Sequence, residues 1–174
     1  MRGKLIVIEG NDRCGKTTTC KRLVAEFTAA GISAEYYNYP DRTTPIGKII
    51  DEYLRSKDTV LDDHAVHLLF SANRWETKQK LEDKLNAGIN IILDRYIYSL
   101  AKGLSIDWCT SDNGLLVPDV VVHLTSAEYY EGFGEERYET TELQEKVKQK
   151  YSEVYRMLGV DCKSIDYVKL LFGF

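Results

Sequence analysis

A run of five residues, LIVIE (5–9), passes directly into the glycine-bounded loop GNDRCGKT (10–17), and this junction constrains the fold more than any other stretch. Its first four residues are apolar at every position, so the run has no polar face. It reads as a strand buried on both sides, the kind found in a parallel sheet covered by helices. Gly10, Gly15, Lys16 and Thr17 match G-x-x-x-x-G-K-[ST]. In that pattern backbone N–H groups cradle phosphates, the lysine reaches the outer phosphate oxygens, and the hydroxyl holds Mg²⁺. A helix beginning at Lys16 would also point its N-terminus at the anion. The pattern does not account for the acid and base, Asp12 and Arg13, at the tip of the loop.

The rest of the chain repeats the same alternation. AEYYNY (34–39), NIILD (90–94), VVVHL (120–124) and a weaker VDC near Val160 read as further strands. Between them lie helical patterns: Leu23, Val24 and Phe27 before Gly31, Leu81 and Leu85 before Gly88, and Leu143 to Leu158 after a capping-box pattern at Thr141 and Gln144. The expectation is an α/β fold with a five-stranded parallel sheet flanked by helices on both faces. With 174 residues, 44% of them hydrophobic, the chain reads as one domain spanning 1–174. Ligands of such sheets bind beyond the carboxyl ends of the strands. Gly10, the Pro40-Asp41-Arg42 stretch, Asp94-Arg95-Tyr96 and residues 126–139 all fall there.

A net charge of −4 gives little support to binding a nucleic-acid polymer, whereas a small anion needs only a few local cations. Cys14, Cys20, Cys109 and Cys162 show no metal-ligand spacing, so reduced thiols are expected. No apolar run reaches membrane-spanning length and no signal peptide is expected. The reading is a soluble intracellular protein, cytoplasmic with the nucleus left open, and without a membrane partner.

ATP and GTP proteins share this loop, but a guanine-binding switch needs a base-reading N/T-K-x-D element, which is lacking here. A small-molecule kinase needs cations to clamp a phosphoryl group between two anions. Arg42 and Arg95, each preceded by an acid, sit where a second phosphate could dock. Asp94, ending a buried strand, is placed to orient Mg²⁺ through water, with Thr17 as the direct metal ligand. The ATP-binding set is then Gly10, Asn11, Asp12, Arg13, Cys14, Gly15, Lys16, Thr17 and Thr18, with Thr19 as helix-surface filler. In HLLFSANRWE (67–76), Phe70 and Arg74 are four apart and share one helix face. A ring beside a guanidinium suits a flat base, although a lone helical Phe is more often core. Leu68, Leu69, Ala72 and Trp75 read as packing residues, and His64 and His67 as solvated or capped.

Taken together, GNDRCGKTT, YPDRTTPIGKIIDEYL (39–54), HAVHLLFSANRWE (64–76), LDRYIYS (93–99), SIDWC (105–109), VPDVVVHL (117–124) and GFGEERYE (132–139) resemble eukaryotic thymidylate kinase. The resemblance runs in order from about Leu5 to Val168. It implies a P-loop NTPase fold with a short mobile lid at about 126–140, and ATP- and Mg²⁺-dependent phosphorylation of dTMP to dTDP. It also implies catalytic roles for Asp12, Arg13, Lys16, Asp94 and Arg95, and dTMP phosphate binding by Arg42 and Arg95. Phe70 would stack on the base and Arg74 would read the thymine carbonyl. Tyr39, Leu54, Ser99 and Tyr138 would line the nucleotide pocket, and Arg137 of the lid would join the ATP-binding set. Asp12 would engage the acceptor 3′-hydroxyl, and Arg13 would lean over the transferring phosphoryl group. A homodimer through helices on one face is implied as well, and the stripe Ala65, Leu68, Leu69 and Ala72 could serve it.

Three departures from the family pattern stand out. After Tyr96 the chain reads IYSLAKGLSIDWC, so Leu100 replaces a glycine, and the aromatic that packs on the sugar is missing. GLLVPD lacks one proline, and the chain ends at Phe174 without the family's last helical tail. The first suggests an acceptor pocket open to more monophosphates. Together they motivate a rival reading, a degenerate nucleotide-binding homologue with little turnover, against which stands the presence of every charged residue assigned to phosphate.

Overall fold

All six residues of β1 (Leu5–Gly10) are buried, as the apolar run requires. The computed structural model describes residues 1–56, 58–97, 114–125 and 141–173, with only the backbone of 141–144. After β1 come α1 (Lys16–Ala29), β2 (Ala34–Asn38), α2 (Pro45–Arg55), α3 (Asp63–Asn86), β3 (Asn90–Asp94), β4 (Val120–Leu124), α4 (Thr141–Met157) and α5 (Ile165–Phe172). The strands are all parallel, in the order β2-β3-β1-β4, with Leu5 opposite Ile91 and Ile6 opposite Val120.

The two-residue period of a strand divides the apolar residues between the faces. Leu5, Val7, Ile91 and Leu93 pack with Leu81 and Leu85 of α3. Ile6, Ile8, Ile92, Val120 and Val122 pack with Cys20, Leu23 and Phe27 of α1 and Val168 of α5. Tyr151 and Val154 of α4 cover Val121. Helices on both faces bury β1 and β3 throughout and the first three residues of β4, whereas the edge strand β2 is only half-buried and ends at the exposed Asn38.

The sheet has four strands among the described residues, not five. Near Val160 the chain makes a single parallel bridge, Lys163 to Val122, with the Lys163 N–H donating to the Val121 carbonyl at 2.8 Å. Ser164 follows at once as the cap of α5, its hydroxyl accepting from the Tyr167 N–H at 3.1 Å. The turn into a helix ends the ladder after one rung. Helix α2 was not evident from periodicity. Thr44 caps it by accepting from the Gly47 N–H at 3.0 Å, and Pro45 begins it. Cys14, Cys20 and Cys162 are free thiols, and Cys109 lies outside the described residues. No helix among the described residues is long and apolar enough to cross a membrane.

Among the buried polar residues, one carboxylate lies within the apolar strand β1 itself. Glu9 is fully buried near the end of β1, where an uncompensated carboxylate would cost several kcal/mol. Its Oε1 accepts from the Tyr96 N–H at 2.8 Å and its Oε2 from the Tyr151 hydroxyl at 3.0 Å. Glu9 thereby ties the end of β1 to the turn after β3 and to α4. Replacing Glu9 with Ala removes the carboxylate that accepts from both groups and should lower stability by about 3 kcal/mol. Urea denaturation checks this, and an unchanged midpoint and slope would refute it.

Candidate active site

The loop after β1 is shaped by a close approach. Gly10 has φ 143°, and a Cβ there would lie 2.4 Å from the Leu124 carbonyl oxygen of β4, so a side chain has no room. Gly15, in the left-handed region, caps α1. Among the described residues only two that are not glycine have positive φ: Arg13 at 57° and Arg95 at 67°. Each such residue costs about 1 to 3 kcal/mol, and such strain clusters where ligands are handled. Both were singled out from sequence as phosphate-binding arginines.

The ends of β1 and β3 bring the catalytic candidates together. Arg95 pairs with the Asp12 carboxylate and donates from Nη1 to the Gly10 carbonyl at 3.3 Å. Thr17 donates its hydroxyl to Asp94 Oδ2 at 2.5 Å, and the Tyr36 hydroxyl lies 3.5 Å from the same oxygen. Burial and the Asp94 charge push the Tyr36 phenol up to about 12, so it faces Asp94 as a neutral donor. Lys16 is buried, donating to the Asn11 carbonyl, with Cys14 Sγ at 3.6 Å. Burial and then the nearby Arg95 charge lower the Lys16 pKa. Arg95 is also desolvated, but Asp12, Tyr151, Glu9 and Asp94 together raise its pKa. A phosphate lying against both cations would stabilise both.

The metal donors suit Mg²⁺. Among the described residues no group of three or more His, Cys, Asp or Glu could hold a metal by themselves. Mg²⁺ does not need such a group, because it takes one or two hard protein oxygens and fills its shell with water and phosphate. The Thr17 hydroxyl and Asp94 carboxylate, already in contact, are oxygens of that kind.

A second group of residues follows β2. The Tyr39 N–H donates to the Asp94 carbonyl at 3.0 Å, which joins this group to the first. The Tyr39 ring stacks on Tyr96 with centroids 5.8 Å apart, and its hydroxyl meets Thr77. The loop carrying Arg42 is fastened to α3 by the fully buried Asn73. Asn73 Oδ1 accepts from the Asp41 N–H at 2.8 Å, and its Nδ2 faces the Asp41 carbonyl, Thr44 Oγ1 and Glu76 Oε2 at 3.2, 2.8 and 3.1 Å. Gly47 permits this closeness, since a Cβ there would sit 1.8 Å from the Asp41 oxygen. Arg42 reaches Asp51 Oδ1 of α2 at 2.6 Å. Leu54 is buried with Ile50, Tyr53 and Val66, and Phe70 lies half-buried at the edge of that cluster. Arg74, one turn further along α3, is buried.

Several expectations change. Leu68 and Trp75 are 53% and 43% exposed and do not fill the core, whereas His67 is buried. Ser99, Leu100, the lid, Arg137 and Tyr138 lie outside the described residues. Glu9, Asp51 and Tyr36 went unnoticed in the sequence, and Asn73 stood out only as the neighbour of Phe70 and Arg74, with no role assigned to it. Of these only Glu9 carried a signal, a carboxylate closing an otherwise apolar strand.

The comparisons agree with this geometry. The sequence model of the thymidylate kinase family matches residues 8–167. Thymidylate kinase of Danio rerio is 43% identical over 98% of this chain and 85% of its own length. That of Schizosaccharomyces pombe is 46% identical over 95% of this chain and 84% of its own. The structure of the Candida albicans thymidylate kinase superposes with a TM-score of 0.81 at 40% identity, covering 98% of this chain and 89% of that one. With the strands, the phosphate loop and the arginines at the sheet edge arranged as described, the chain belongs to the thymidylate kinase family.

Proposed function

We propose that the chain transfers the γ-phosphoryl group of ATP to the 5′-phosphate of dTMP, giving ADP and dTDP. The observation that carries this reading is the convergence, where β1 and β3 end, of the Arg95–Asp12 pair and the Thr17–Asp94 contact with the buried Lys16 of the adjoining loop. Phosphoryl transfer asks mainly for positioning and charge neutralisation, and this edge supplies cations in a desolvated setting. Thr17 would hold Mg²⁺ directly and Asp94 through water, and the ion would neutralise phosphate charge. Lys16 and the loop from Gly10 to Thr18 bind the donor phosphates, with Arg137 completing the ATP site. The acceptor phosphate is already an anion, so no general base is assigned.

On the acceptor side, Arg42 and Arg95 take up the dTMP phosphate and Asp12 engages the 3′-hydroxyl. The Arg95–Asp12 pair suits that division, because the two groups orient each other before either meets the ligand. Phe70 stacks on thymine, Arg74 donates to its carbonyl, and Tyr39, Leu54, Ser99 and Tyr138 line the pocket. Arg13 acts as an arginine finger in cis, neutralising charge on the transferring group. Its left-handed backbone supports a role that outweighs the strain.

We also read residues 1–174 as one domain with broadened acceptor choice. Leu100 and the missing aromatic after Ser99 motivate that breadth. The Candida albicans relative is described as having broad substrate specificity. Leu68, 53% exposed on α3, supports a homodimer through that face.

A coupled ADP-release assay across nucleoside monophosphates should show turnover with dTMP, and silence with every acceptor would overturn the reading. UMP should be phosphorylated at a measurable fraction of the dTMP rate, and complete exclusion of it would rule out the wider pocket. Arg13→Ala should lower kcat on the order of a thousandfold while ATP affinity stays close to wild type; near-normal turnover would remove the finger. Sedimentation equilibrium should return twice the chain mass, and a monomer at assay concentrations would remove the dimer.

A further inference from the structure

Arg42 sits between two kinds of restraint. Its backbone is fixed by the Asn73 contacts to Asp41 and by an Asx turn, in which Asp41 Oδ1 accepts from the Thr43 N–H at 3.0 Å and the Thr43 hydroxyl at 2.6 Å. Backbone restraint alone leaves a long side chain with rotamer entropy to lose when it meets a ligand. Asp51, on the second turn of α2, reaches the far end of that side chain. Its Oδ1 accepts from Arg42 Nη1 at 2.6 Å and also from Arg55 Nε at 3.0 Å. The neighbouring residues of α2, Ile50, Tyr53 and Leu54, are buried, so the helix presents Asp51 from a fixed base. Although partial burial opposes it, the hydrogen bonds from Arg55 and Arg42 hold the Asp51 carboxyl below its ordinary value, and it is charged at neutral pH.

We propose that Asp51 is a positioning residue for acceptor binding: it holds the Arg42 guanidinium pre-oriented toward the 5′-phosphate of the incoming monophosphate. The inference rests on the reading of Arg42 as an acceptor-phosphate cation. A carboxylate beside a phosphate-binding arginine can instead compete with the phosphate, and the geometry argues against that. The hydrogen bond to Asp51 engages Nη1, one of three guanidinium nitrogens that together carry five N–H donors. Arg55 draws on the same oxygen, which weakens Asp51's hold on Arg42 relative to a phosphate dianion. Arg55 itself is 71% exposed and forms an i,i+4 pair of the kind worth little to folding, so this group contributes more to orientation than to stability.

The test compares steady-state kinetics of the full chain with dTMP as the varied substrate. Asp51→Ala keeps a good helix former at a partly exposed site, and its melting curve should overlay that of the wild type. The dTMP KM should rise about tenfold, with the loss falling mainly on KM and not on kcat. Asp51→Asn keeps an oxygen that accepts from Nη1 and should lie between the two. An unchanged or lowered KM in Asp51→Ala, or an Asn variant no better than Ala, overturns the proposal. Arg42→Ala separates this from the parent reading. If it leaves the dTMP KM unaltered, the acceptor-phosphate assignment fails on its own; if it raises KM while the Asp51 variants do not, only the positioning role fails.

Discussion

The buried carboxylate of Glu9 is the interaction on which the site depends. In a strand of fully apolar neighbours it must find partners, and the two it finds belong to distant parts of the chain: the backbone after β3 and a tyrosine of α4. The hydrogen bond from the Tyr96 N–H acts on the residue immediately after Arg95, so it helps hold Arg95 in its left-handed conformation. From there the guanidinium reaches Asp12 across the strand ends. Loss of the buried acceptor would leave that conformation with less to sustain it.

A second theme is that the cations are brought together in places where their charge is expensive. Lys16 is desolvated and lies near a guanidinium, and both effects disfavour its ammonium form. Surface lysines would face no such penalty, nor would they discriminate strongly in favour of an anion. Desolvated cations held by a rigid sheet edge do both, because attraction strengthens as water is removed and no reorganisation is needed when charge shifts during transfer. The proposed acceptor side follows the same logic one step further from the core. Asn73 and Glu76 of α3 lock the Arg42 loop through hydrogen bonds to its backbone and to Thr44.

The architecture was legible largely because the signals are local. Alternating apolar strands and helices, glycines closing α1 and α3, and the phosphate loop each depend on residues adjacent in the chain. Where local signals were weak, the reading departed from the structure. VDC is three residues long, and the cap at Ser164 takes the chain away after one rung. Leu68 and Trp75 looked like core because helical spacing does not reveal which face a neighbour covers, and His67, polar by composition, is buried instead.

What residue order alone settled was the set of motifs on offer: a loop of the phosphate-binding pattern, arginines at the strand ends, and the stretches that match one kinase family. It could do so because these patterns are contiguous and their residue types have few other uses in that context. The pairings that aim this chemistry emerged only on folding. Arg95 meets Asp12 across 83 positions, Glu9 meets Tyr151 across 142, and Asn73 reaches Asp41 across 32. Such contacts arise from strand order and helix packing, which bring distant residues to one edge, and a linear pattern carries no measure of that distance.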